Sequence, residues 1–176
     1  MAHRIPRSRQ ARARFAGLLL AVTVAVGLLL GMSGALGIAG APAASAAEDA
    51  AAAGDLDADA LPVHRALQRL RSKSGRPELR LDRDLTAGAQ RDACALARGE
   101  LALSGDARRL AESGAQRENL GLVVDSDPAA AARAMHDWWS TSPAHRADRL
   151  HPAMRAYGIG ACRNRERTYY VERFAS

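Results

Sequence analysis

Ser142, His145 and Asp148 stand three residues apart in the run Ser142-Pro143-Ala144-His145-Arg146-Ala147-Asp148. They are the residue types of a nucleophile, a general base and an orienting carboxylate. The spacing lays all three along one side of a single short helix, and Ser142 before Pro143 sits where a helix N-cap belongs. A triad also needs an oxyanion site and a serine oxygen free to attack, so the sequence favours capping, with catalysis as the alternative. Asp125-Ser126-Asp127 suggests calcium, yet the remaining oxygen ligands of a binding loop are absent and Asp127-Pro128 reads as a helix start. His136 falls on a predicted helix one turn before Trp139, and His151 precedes Pro152 at a loop entry. Both read as surface or hydrogen-bonded structural histidines rather than ligands.

These side chains need a scaffold, and apolar spacing supplies one. Val63, Ala66, Leu67 and Leu70 recur at helical period until Ser74-Gly75-Arg76-Pro77 stops them. A second helix opens at Asp82 or Asp84 and runs through Leu85, Ala89, Ala93, Leu96 and Ala97 to Gly99. Its inward side chains are small, so it can lie close to a sheet. From Gly99 to Arg117 the chain is polar and irregular, a loop with a turn at Ala107–Ala111. Leu120, Leu122, Val123 and Val124 form a short buried strand, and Ala131, Ala134, Met135 and Trp138 give the next helix its inward face. Ser142-Pro143 opens a further turn of helix through His145 to Leu150. The tail is a hairpin: Tyr157, Ile159 and Ala161 alternate, Arg163-Asn164-Arg165-Glu166 turns, and Tyr169, Val171 and Phe174 return. Helices before and between strands, closed by an antiparallel hairpin, predict an α+β sandwich rather than a parallel sheet.

The N-terminal third has a different character. Arg4, Arg7, Arg9, Arg12 and Arg14 precede an apolar stretch from Ala16 to Gly40 whose only polar side chains are Thr23 and Ser33, and Ala44-Ser45-Ala46 offers a cleavage site. That order is a secretory signal over residues 1–46, although an apolar run of this length also suits a retained membrane anchor. Residues 47–60, made of Ala, Asp, Glu and Gly with one Leu, bury too little to offset chain entropy and are expected to be a flexible spacer. Residues 61–176 then form one domain. The whole chain carries 25 Lys and Arg against 19 Asp and Glu, but five of those Arg lie in the signal and every acidic residue lies after it. The remainder is therefore nearly neutral, which excludes the electrostatic footprint of a nucleic-acid binder. Export carries Cys94 and Cys162 into an oxidising compartment, where an even count favours pairing over two buried thiols. A bridge across so long a loop is worth about 4 kcal/mol on chain-entropy grounds.

Four pieces in order resemble a known family: Glu118-Asn119-Leu120, then Trp139-Ser140-Thr141-Ser142-Pro143-Ala144-His145-Arg146, then Tyr157-Gly158-Ile159-Gly160, and Tyr170-Val171-Glu172-Arg173-Phe174. They look like the signatures of the CAP superfamily of cysteine-rich secretory, antigen 5 and pathogenesis-related proteins, with the Trp-x-x-Ser-Pro-x-His-Arg pattern of its bacterial branch. The resemblance spans about Val63 to Ala175. It implies an α/β/α sandwich with a three-stranded antiparallel sheet, and a cavity that in many members holds a divalent metal between two His and two Glu. Position by position, Glu118 and His145 match one Glu and one His of that set, while Leu103 stands at the place of the other His and Ser142 at that of the other Glu. Two ligands fall short of the three that zinc ordinarily requires, so no cofactor is expected beyond a weakly held divalent metal. The pair instead suggests a Glu118 carboxylate accepting a hydrogen bond from His145, with the imidazole pKa raised. The family pattern makes Trp139 core and leaves Trp138 partly exposed. Family members are associated with lipid binding, defence and envelope biology; with the signal over 1–46 and the incomplete ligand set, the expectation is a secreted, non-catalytic binding module, a monomer, for lipid or another small hydrophobic ligand, with its cavity at Glu118, His145 and Ser142. A metal-dependent or serine hydrolase and a membrane-anchored envelope protein are the alternatives.

Overall fold

The computed structural model describes residues 53–176. The signal expected over 1–46 lies outside the described residues, as do residues 47–52 of the expected spacer. Helix α1 (Leu61–Lys73) is stopped by Ser74 and a left-handed Gly75. The two-residue strand β1 (Arg80–Leu81) leads into α2 (Arg83–Arg98). Asp82 caps α2, its Oδ1 accepting from the N–H groups of Asp84 (3.0 Å) and Leu85 (3.1 Å), and Gly99 ends it at φ 76°. Then come α3 (Ala107–Glu112), β2 (Arg117–Val124), α4 (Pro128–Thr141), α5 (Pro143–Arg149), β3 (Ala156–Asn164) and β4 (Arg167–Ala175). Among the described residues no helix is long and apolar enough to cross a membrane.

The sheet has the order β1-β3-β4-β2. Its three long strands are antiparallel, as the α+β reading requires, and the short β1 is added in parallel at the edge of β3. Two residues are too few to leave a periodic signal, which is why the sequence suggests only three strands. The strand expected from Leu120 begins at Arg117 instead, because ladder pairing with β4 continues through Glu118 and Asn119 irrespective of their polarity.

Alternation sorts the side chains of the strands onto two covered faces. One face carries Tyr157, Ile159, Tyr170 and Phe174, which form the main core with Val63 and Leu67 of α1 and Met135 and Trp139 of α4. The other carries Tyr169 and Val171, which pack beneath Ala89, Ala93 and Leu96 of α2. The small side chains of α2 do bring it close: a Cβ added at Gly158 would run into the backbone of Leu85 and Thr86, and one at Gly160 into that of Ala89 and Gln90. A Cys94–Cys162 disulfide joins the same helix to the same strand, with Cα atoms 4.9 Å apart.

The spacer expectation needs correction over its described part. Leu56 and Ala60 are buried in the main core, and Asp59 forms an ion pair with Arg163 at 3.1 Å. The single leucine of the acidic stretch is its anchor.

Beneath α4 and α5 lies a polar cluster. Arg149 and Glu172, both fully buried, form an ion pair at 3.3 Å. Glu172 also accepts from Asn119 (3.2 Å) and the Tyr157 hydroxyl (3.3 Å). The Arg149 guanidinium reaches the Ser140 hydroxyl (2.8 Å), the His136 carbonyl (3.2 Å) and His136 Nδ1 (3.2 Å). His136 is thus a hydrogen-bonded structural histidine whose ring nitrogen accepts from a cation. Burial, and then the Arg149 charge, lower its pKa from the usual 6.5 to about 4.

Gly160→Ala drives a methyl group into helix backbone that has no rotamer to yield, and should lower urea-unfolding stability by about 1–3 kcal/mol. Gly105→Ala, with open space around it, should change stability by less than about 0.5 kcal/mol. Because the unfolded chain binds the His136 proton more tightly than the folded one, its contribution to stability is complete above pH 6.5 and is lost as the pH falls toward 4. Thermal midpoints measured across that window should fall more steeply for the native chain than for His136→Gln.

Candidate functional site

β2 is an edge strand, and a cleft of about 510 Å³ lies along its free side. Leu103, Gly105, Asp106, Ala107 and Leu110 of the 99–116 segment form one wall, Trp138 of α4 and His145 of α5 the other, and Glu118 and Leu120 of β2 the floor. The α3 wall exists because Asp106 caps that short helix, accepting from Arg108 N–H at 3.0 Å, and because Leu110 packs against Leu85, Ala115 and Ala156. The sequence marks this helix only as a turn in a loop.

Glu118 and His145 line the same cleft, but the hydrogen bond expected between them is not made. Glu118 shares a row with Arg173 and Gly158 on the face under α2, whereas Asn119, one residue on, turns to the face under α5 and donates to the His145 carbonyl at 3.4 Å. A one-residue step in a strand changes the face, so the two side chains approach the cleft from opposite sides of β2. The Glu118 carboxylate is taken by Arg173, whose Nε donates at 2.9 Å and whose Nη2 lies 2.8 Å away. The same guanidinium bonds Asp92 of α2, and Asp92 is paired with Arg109 of α3 at 3.2 Å. Four alternating charges thus link α3, α2, β4 and β2 under the cleft floor.

The imidazole also departs from expectation. His145 Nδ1 lies 2.9 Å from Ser142 Oγ, and the rings of Trp138 and His145 meet at 4.7 Å between centroids, tilted by 49°. Burial lowers the His145 pKa, Asp148 opposes that shift and Arg149 adds to it. The ring is therefore neutral at physiological pH, and Nε2 is its unengaged nitrogen. Ser142 occupies the N-cap position of α5 without a side-chain capping bond, because its hydroxyl is given to His145. It does not line the cleft, so the site assigned jointly to Glu118, His145 and Ser142 keeps only the first two on its walls. Asp148 turns away to Arg117 at 2.6 Å, and no orienting carboxylate stands behind the imidazole.

As the Trp pattern implies, Trp139 is fully buried and Trp138 is 49 % exposed; the inward face of α4 is therefore Ala131, Ala132, Met135 and Trp139, not the Ala134 and Trp138 that helical spacing also suggested. Leu103, which stands at the place of a metal-binding His in the family, is 44 % exposed and faces Trp138 across the cleft. Among the described residues no group of three or more His, Cys, Asp or Glu side chains is placed to share a metal ion. The donor set does not fit one: a leucine replaces one ligand, and the carboxylate that remains is held by a buried guanidinium. The residues that sequence reasoning missed are Arg173, Asp92, Arg109, Arg149 and Glu172. The available signal was Glu172-Arg173, two charges inside an apolar strand, which are costly to bury unless each meets a partner.

A search of curated proteins by sequence finds no match. Several solved structures share the fold. An outer surface protein from Borrelia burgdorferi is 16 % identical, with 64 % of this chain and 87 % of that one covered at a TM-score of 0.52. NaASP2, crystallised with Zn2+, is 13 % identical, with 68 % and 80 % covered at 0.54. An extracellular protein from Bacillus anthracis containing an SCP domain is 17 % identical, with 81 % of this chain but 44 % of that one covered at 0.50. At these identities the likeness shows the fold alone. The family model described as CAP, the cysteine-rich secretory protein family, matches residues 64–174, and with that match over the sheet, both helical layers and the cleft, the chain belongs to the CAP family.

Proposed function

We propose that this chain is exported and acts outside the cell as a non-catalytic binding module, its cleft at Trp138 taking a lipid or another small hydrophobic molecule. The observation that carries the reading is where the apolar surface is left open. Trp138, Leu103 and Val124 are the exposed large hydrophobic side chains of the described residues, and the first two face each other across the one cleft that Glu118 and His145 also line. A paired aromatic and aliphatic wall over a floor of mutually neutralised charge favours a ligand with an apolar body, with His145 Nε2 as a single polar fix. The basic, apolar and Ala-x-Ala order of residues 1–46 supports export, and membership of a largely extracellular family agrees with it.

Among the described residues the metal-dependent alternative lacks a donor set, and serine chemistry is supported only by the Ser142–His145 hydrogen bond, whose serine does not line the cleft and whose imidazole has no carboxylate bonded behind it. If export occurs with cleavage, the mass of the secreted product places its N-terminus directly after Ala46. A mass that includes residues 1–46 supports a retained anchor instead. A saturated fatty acid titrated below its micellar concentration should perturb Trp fluorescence saturably. Trp138→Ala should weaken that binding at least about tenfold, the equivalent of one lost aromatic contact, while Val124→Ser leaves it unchanged. Equal affinity in the Trp138 variant would remove the cleft from consideration.

A further inference from the structure

A second pocket lies at the opposite edge of the sheet from that cleft, along the outer side of β3. β1 pairs with β3 over two residues and then turns away, its last contact being the Asp82 N–H donated to the Tyr157 carbonyl at 2.8 Å. Farther along the same edge Gln90 of α2 lays down its side-chain amide. Nε2 donates to the Ala161 carbonyl at 2.7 Å, and Oε1 accepts from the Ala161 N–H at 3.0 Å. The side chain thereby stands in for a neighbouring strand.

Between these two points lies Ile159. Its register partner is Glu172, and alternate residues of β4 turn their backbone groups toward β2, as the Phe174 carbonyl shows by accepting from Gln116 N–H at 2.8 Å. Two residues from Phe174, Glu172 faces the same way. The Ile159 N–H and C=O therefore point to the outer edge that Tyr157 and Ala161 use, and no described residue pairs with them. Ile159 is fully buried, and buried backbone groups are costly to leave unmatched. The hydroxyl of Thr86 beside them is also buried without a partner.

Ile159 and Thr86 line a pocket of about 440 Å³ with Leu56, Leu81 and Ala87. The pocket is within the size range of small-molecule sites. Its rim is mixed in sign, Arg83 against Asp55 and Asp57, and so offers no uniform field to a charged head group. The unmet groups are one donor and one acceptor spaced as on a strand, with a hydroxyl that serves as either.

We infer that this pocket binds a secondary amide, the backbone of a peptide carrying one apolar side chain, as a short strand added between β1 and Gln90. Main-chain hydrogen bonds to Ile159 supply the affinity and the Leu56–Leu81–Ala87 wall takes the side chain, the division of labour of strand-addition complexes. The site shares no residue with the Trp138 cleft and stands or falls independently of it.

The test is an amide-resolved NMR titration of the purified protein with N-acetyl-leucine N-methylamide, with decanoate as the apolar anion of comparable size. The dipeptide analogue should shift the Ile159 and Thr86 amides saturably, and decanoate should leave them in place. Ala87→Trp, at an exposed helix position on the pocket wall, should weaken binding at least about tenfold while the remaining strand signals confirm the fold. Trp138→Ala should have no effect. An Ile159 amide unmoved up to the solubility limit of the probe, equal binding in Ala87→Trp, or displacement of the amide by decanoate would each overturn the assignment.

Discussion

Glu172 and Arg173 are consecutive residues of a strand that has a neighbour on each side and a helical layer on each face. Alternation points them in opposite directions, so each must find its counter-charge in a different layer. Glu172 meets Arg149 of α5; Arg173 meets Glu118 of β2 and Asp92 of α2. Removing one partner from such a pair strands a buried charge, at a cost of about 3–5 kcal/mol. That penalty discriminates strongly against any register or helix placement that fails to bring the partners in. The first pair fixes where α5 stands, and Asp92, held by Arg173, ties in α3 through Arg109, so that both walls of the cleft depend on these charges.

The same arrangement sets the chemistry of the cleft. Glu118 is bound by a guanidinium on its own face of the sheet, and His145 is kept neutral by burial on the other side of β2. What faces a ligand is consequently short of net charge, and the exposed indole of Trp138 and the side chain of Leu103 dominate the walls. A molecule held there as proposed would therefore meet mainly apolar surface.

The closeness of α2 to β3 has its own consequence at the sheet edge. Gly158 and Gly160 let the helix settle onto the strand, and from there Gln90 can reach around and occupy the edge at Ala161. Capping of α2 by Asp82 takes the chain away from that edge immediately after β1. Ile159 is left between a strand that ends early and a side chain that imitates one.

Much of the scaffold was legible because it depends on local chemistry. Asp82, Gly99, Asp127 and Pro128 mark helix ends through hydrogen bonds and dihedrals confined to a few residues, and the alternation of Tyr157, Ile159 and Ala161 gives the hairpin. The pairing of Cys94 with Cys162 was suggested by an even count and by the expectation of export, and the partition of Trp138 from Trp139 by the family pattern. The two residues of β1 were too short to leave a pattern, and the fate of Leu56 depended on a core that composition does not reveal. Glu118 and His145 line one cleft, but each has a different bonding partner from the one that the sequence suggested. Residue types and their spacing settled which groups could bond, cap and bury. Which of them met was left to the packed chain, because partner choice depends on strand register, and one residue of register places a side chain on the other face of the sheet.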